Sequence, residues 1–157
     1  MKKIGLIFAV GVMLLSCNPK SEQAATTTND TPATVSANTV RDGVFIHITE
    51  SYNDPHRVLM PLKMALMMSS DKDVLIYMDI HAVELLTKSA KDLNYADFES
   101  LQSYIKKLVN NKVGIYACPT CMNISGIKPE DLMDGIQVAQ KDKFFSFTKG
   151  RIITLDY

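Results

Sequence analysis

Two thiols three positions apart, Cys118 and Cys121 in Cys118-Pro119-Thr120-Cys121, are the residues of this chain best suited to chemistry. They follow Val113-Gly114-Ile115-Tyr116-Ala117, a run of β-branched and aromatic residues that reads as a buried strand. If Pro119 opens a helical turn, Cys118 stands at its N-terminus, where free amides and the helix dipole favour a thiolate. That form is the nucleophile and the metal ligand, and Cys118 is expected to lie open on the rim of the fold. Cys121, one turn on, is within bridging reach. A disulfide there closes a loop of only four residues. It would contribute about 2 kcal/mol, well below a long-range bridge, so the spacing points to reactivity more than to stapling.

Such a cysteine needs a scaffold, and the pattern supplies one. Short apolar runs alternate with longer amphipathic ones, as in a layered α/β sheet. Five strands are expected, at Val44 to Thr49, Val74 to Met78, Val113 to Ala117, Ile136 to Ala139 and Arg151 to Leu155. The first helix should begin at Asp54 as N-cap with Pro55 behind it, and Pro61 should kink or split it. Further helices are expected at Phe98 to Asn110, Pro129 to Leu132 and Gln140 to Thr148. In a parallel sheet the strands' carboxyl ends share one edge, where ligand sites form. Thr49, Glu50, Asp79, His81 and Cys118 all follow strands and gather there, and His56 starts the first helix nearby. His56, Asp79 and His81 are the expected supporting residues. His47 lies inside a strand and is given no role. Met64, Met67 and Met68 are read as packing of a helix on the sheet.

The third cysteine has another use. Cys17 ends MKKIGLIFAVGVMLLSC, two lysines, a short apolar run and Leu14-Leu15-Ser16-Cys17, the pattern of a bacterial lipoprotein export signal. The apolar run is shorter than the roughly 20 residues that span a bilayer. Residues 1–17 are therefore read as signal with Cys17 as lipidation site, and the mature chain as held in the cell envelope by acyl chains, periplasmic or on the outer membrane. From Asn18 to Asp42 the chain is rich in Thr, Ala, Ser and Asn without an aromatic residue, a tether of about 25–30 Å reach. Residues 43–157 form the single domain. It carries 13 Lys plus Arg against 14 Asp plus Glu, scattered, which offers no footprint for nucleic acid.

Ala117-Cys118 after a strand, Gly126 eight residues beyond the cysteine and an acidic short helix leading to Gly135 resemble the active-cysteine segment of the DsrE/DsrF-like sulfur-relay proteins, the group that includes TusD. Asp54 to Met60, Asp73 to Asp79 and Phe147 to Ile152 are similar to an exported branch of that family. The resemblance implies a three-layer α/β/α sandwich around a five-stranded, mainly parallel sheet with flavodoxin-like layering, assembled as a homo-oligomer. It also implies a persulfide carried on Cys118, exchanged with a donor or acceptor thiol protein or a small sulfur species, with no cofactor. The export signal and Cys121 depart from the relay pattern. The first calls for a donor other than the cytoplasmic partners, and the second could resolve a persulfide to a disulfide. Two other chemistries stay open for the Cys-x-x-Cys pair. One is thiol-disulfide exchange. The other is binding of copper(I), with Met78 or Met122, or of zinc, with His56, His81 or carboxylates completing the ligand set.

Overall fold

The computed structural model describes residues 40–144 and 146–157. The expected signal with Cys17, and nearly all of the tether, lie outside the described residues. Arg41 and Asp42, at the tether's end, are bonded into the domain. The Arg41 guanidinium donates to the Ser69 carbonyl at 3.0 Å and pairs with Asp73 at 3.5 Å, and Asp42 accepts from the Arg151 amide at 3.1 Å. Among the described residues no helix is long and apolar enough to cross a membrane.

All five expected strands are present, each within one residue of its expected ends: β1 (Gly43–Ile48), β2 (Asp73–Met78), β3 (Gly114–Ala117), β4 (Ile136–Val138) and β5 (Ile152–Asp156). They pair in the order β4-β3-β2-β1-β5, and every pair is parallel. Period-two alternation divides their side chains. Val44, Ile46 and Ile48 lie in register with Val74, Ile76, Met78, Ile115 and Ala117, and this set is buried in one core with helices α1 (Pro55–Met68) and α2 (Leu101–Asn110). Leu59, Leu62, Leu101 and Leu108 are fully buried against it. Each such leucine contributes about 1.5–3 kcal/mol by leaving water.

Local signals set the helix ends. The Asp54 carboxylate accepts from the Arg57 amide at 3.2 Å, and the Ser100 hydroxyl accepts from the Ser103 amide at 3.3 Å, which starts α2 at Leu101 instead of Phe98. The expected break at Pro61 does not occur, and α1 runs through it. The carbonyl that loses its donor belongs to exposed Arg57, where water can serve it, while the Pro61 ring itself is buried. Met67 corrects a second expectation. The packed stripe runs through Val58, Leu59, Leu62 and Ala65, and Met67 turns out to solvent, 63% exposed.

Winding direction explains the layers. From β1 to β4 the chain steps steadily across the sheet, so right-handed crossovers keep α1 and α2 on one face. It then reverses to place β5 beyond β1, and α4 (Lys141–Phe144), shorter than the expected Gln140 to Thr148, crosses on the other face. There Phe144 meets Tyr77 edge-on with centroids 4.9 Å apart, Phe45 at 5.8 Å and Tyr116 at 6.3 Å. This is the expected α/β/α sandwich, with one helical turn as its thin third layer.

Candidate functional site

The third strand delivers Cys118 to the carboxyl edge. The Cys118 amide still donates to the Met78 carbonyl at 3.0 Å, extending the β3 ladder by one bond, and the chain then turns into α3 (Pro119–Ile124) with Pro119 at its first position. Cys118 is the N-cap, its sulfur accepting from the Cys121 amide at 3.5 Å. Gly126, at φ 68°, ends the turn: its amide donates to the Asn123 carbonyl at 3.3 Å, and the Ile127 amide to the Met122 carbonyl at 2.8 Å. That double bond after a left-handed residue closes a helix tightly, and glycine adopts the conformation without strain.

The two thiols, both free, have unlike settings. Cys118 is only 8% exposed, which corrects the expectation of an open sulfur. Cys121 is the half-open one and lines a cavity of about 290 Å³ with Ile80, His81, Glu84, Ile124 and Ser125. Its sulfur accepts from the Ile80 amide at 3.1 Å. Ile80 reaches that position at φ 49°, a left-handed conformation that a β-branched residue rarely adopts.

Electrostatics separate the pair further. Burial pushes the Cys118 thiol up, but the Tyr77 hydroxyl, the Cys121 amide and thiol and the Thr120 amide outweigh it and hold the group below the ordinary thiol value. Burial pushes Cys121 up, as do its bond to Cys118 and the charge of Asp79, against the Ile80 amide. The Tyr77 hydroxyl is also pushed up, by burial and then by its bond to the Cys118 sulfur. The arrangement favours one thiolate, on Cys118, with proton donors on both sides of it.

Tyr77 belongs to a row of polar groups on the thinly covered sheet face. His47 pairs with Tyr77 across β1 and β2, and Tyr77 with Tyr116 across β2 and β3. The His47 ring stacks on Tyr77 with centroids 5.5 Å apart, its Nδ1 lies 3.1 Å from the Asp156 carboxylate, and its Nε2 lies 3.0 Å from Asp79. That last contact is close, yet poorly aligned for a hydrogen bond, and among the described residues both buried atoms lack a hydrogen-bond partner. It is an electrostatic contact.

The expected supporting residues divide. Asp79, 18% exposed, sits on this row, and exposed His81 sits beside Cys121 across the cavity. His56 is held elsewhere: its ring packs on Phe98 at 5.5 Å and Tyr95 at 5.8 Å. Met78 and Met122, the thioethers considered for copper, are buried in the core, and among the described residues no group of three His, Cys, Asp or Glu side chains is placed to hold a metal ion. Sequence reasoning missed Tyr77, Asp156 and the Ile80 amide and gave His47 no role. The available signal was alternation, because Tyr116 and Cys118, like Tyr77 and Asp79, are two residues apart and therefore share a face.

Comparison with known proteins agrees with this architecture. The structure is similar to the ychN protein from E. coli, with a TM-score of 0.59 and 18% identity over 73% of this chain and 99% of that one. It is also similar to MTH1491, a protein of unknown function from Methanobacterium thermoautotrophicum, with a TM-score of 0.51 and 20% identity over 72% and 98%. No curated protein matches the chain. The model of the DsrE/DsrF-like family matches residues 12–149. With its five-stranded parallel sheet and the cysteine turn at the sheet's carboxyl edge, the chain belongs to the DsrE/DsrF-like family, a group related in general to sulfur relay.

Proposed function

We propose that this protein is a cell-envelope lipoprotein that handles sulfane sulfur through Cys118, with Cys121 as the resolving thiol. The single observation that carries the reading is the unlike placement of the pair: Cys118 caps α3 with the Cys121 amide on its sulfur, while Cys121 faces the cavity with the Ile80 amide on its own, and the directions of their pKa shifts agree, lowered for Cys118 and raised for Cys121. The Cys118 thiolate attacks the outer sulfur of a donor persulfide, forming the Cys118 persulfide and releasing the donor thiolate. An acceptor thiolate takes that sulfur in turn. Alternatively, Cys121 gives up its proton and attacks the inner sulfur of Cys118. A Cys118–Cys121 disulfide then forms, hydrosulfide leaves, and an external dithiol restores the pair.

Intact-mass measurement of the reduced protein after a pulse of polysulfide tests this. The expected result is the addition of sulfur atoms, localised to Cys118, with later loss of two hydrogens in the parent but not in Cys121→Ser. No sulfur on Cys118 refutes the carrier reading. Loss of two hydrogens without any sulfur adduct, on exchange with a protein disulfide, favours the thiol-disulfide oxidoreductase reading, which rests on the same closeness of the two sulfurs.

Anchoring through Cys17 is supported by the signal pattern alone, and fatty-acid labelling that survives in the parent and vanishes in Cys17→Ala is its test. Self-association is supported by the thinly covered face around Phe45, Tyr77 and Phe144 and by edge strand β5, where Ile152 and Ile153 are 41% and 51% exposed. Light scattering of the purified protein should give more than one chain per particle.

A further inference from the structure

We propose that His47 is a positioning residue for Cys118: set between Asp79 and Asp156, its ring holds the Tyr77 phenol in place beside the cysteine on the same sheet face. The inference deepens the function proposed above and rests on Cys118 being the nucleophile.

Three elements converge on one sheet face to make the clamp. Asp156 comes from the end of β5, His47 from β1, and Asp79 from just after β2. Both ring nitrogens therefore lie beside carboxylate oxygens, at 3.1 Å and 3.0 Å, and the Nδ1 bond to Asp156 orients the imidazole. That plane lies at 23° to the Tyr77 ring with centroids 5.5 Å apart, while Phe144 closes edge-on from the third layer at 4.9 Å and 90°. The phenol is gripped by these two rings, and the register sets it beside Cys118: Tyr116, its partner, lies two residues before the cysteine on the same face, and the Cys118 amide bonds the carbonyl of Met78, the residue after Tyr77.

A strand histidine that merely fills a half-open sheet face needs none of this, since threonine or valine packs there as well. Among the described residues the buried Nε2 and Asp79 Oδ1 have no partner but each other, an arrangement that calls for an explanation beyond packing. The titratable groups around Cys118 are Tyr77 and Asp79 from β2 and its end and Cys121 from α3, with His47 and Asp156 behind Tyr77. Tyr77 stands between the clamp and Cys118 on this sheet face, so His47 acts through it.

The test is the pH profile of Cys118 alkylation, read by peptide mass, in the parent, Tyr77→Phe, His47→Ala and the double variant. Loss of a hydrogen bond to a charged sulfur should slow Cys118 alkylation at pH 7 in Tyr77→Phe by about tenfold and move the profile to higher pH. His47→Ala should move it in the same direction by a smaller factor. In the double variant the two effects should not add, because the histidine works through the phenol. Unchanged Cys118 chemistry in His47→Ala, or additive effects, overturns the proposal. If His47→Ala fails to fold, Asp156→Asn, with a side chain 72% exposed, loosens the clamp alone. It must then shift the profile upward, and an unshifted profile is equally fatal. A parent protein whose Cys118 resists both alkylation and polysulfide would instead sink the function proposed above, so the two failures are distinguishable.

Discussion

Replacing Ile80 by alanine and by glycine separates backbone strain from side-chain packing at the residue that feeds an amide to Cys121. Ile80 has φ 49° and is 52% exposed, and its N–H lies 3.1 Å from the Cys121 sulfur. Both variants forfeit the same half-buried side chain, about 1 kcal/mol from the usual range for isoleucine burial. Alanine keeps the left-handed strain of about 1–2 kcal/mol, which glycine does not incur. Glycine instead costs roughly 0.5–1 kcal/mol through the freedom of its unfolded chain. The difference leaves Ile80→Gly more stable than Ile80→Ala by about 0.5–1 kcal/mol, the reverse of the order at ordinary positions. Urea unfolding followed by circular dichroism measures both free energies with a common slope. The amide survives in either variant, so Cys121 alkylation should keep the parent's pH profile. An alanine variant as stable as the glycine one, or more so, would refute the claim that strain is stored beside the cysteine pair.

Iodoacetamide at neutral pH should modify Cys118 before Cys121 even though Cys118 is the less exposed, and peptide mapping after partial reaction checks the order. Because folding lowers the Cys118 value, the stability this thiolate contributes is complete above the ordinary thiol value and disappears as pH falls through the lowered one. The stability difference between the parent and Cys118→Ser should therefore grow as pH rises through that window, as denaturant titrations at several pH values would show. Leu62→Ala, at a fully buried site facing the sheet, should cost about 2–5 kcal/mol in the same assay and leave the order of alkylation unchanged.

How far the sequence reached depends on the physical range of each signal. Strands β1 to β3 were legible because burial on a parallel sheet leaves dense β-branched runs such as Val44 to Ile48, whereas the more exposed edge strands β4 and β5 were legible only as short apolar runs, and Cys118 was legible because it follows a buried run directly. The split allowed for at Pro61 does not occur because its local cost is set by whether the Arg57 carbonyl finds water, which depends on the tertiary surroundings. The 3-10 turn at Ala82–Leu86 carries four buried apolar residues in five and has no periodicity to reveal it. His47 was legible as a strand residue but not as a site residue. Its partner Asp156 is more than a hundred residues away in sequence, and only the reversal that places β5 beside β1 brings them together.

A long-range pairing, that of β2 with β3, also explains why the sulfurs differ although they are three residues apart. Each sulfur takes one amide: Cys118 that of Cys121 within the turn, and Cys121 that of Ile80 from just after β2. Two thiolates so close cannot both form, since the first to ionise raises the other. The tie is broken from outside the turn. The Tyr77 hydroxyl reaches Cys118 from β2, and the Asp79 charge, two residues farther along the same strand and its end, weighs against an anion on Cys121. Strand β2 therefore assigns the thiolate, and it does so by alternation: Tyr77 and Asp79 point the same way only while the strand stays extended between them. A one-residue slip would turn both side chains into the helical core and leave the two thiols with no bias but their unequal burial.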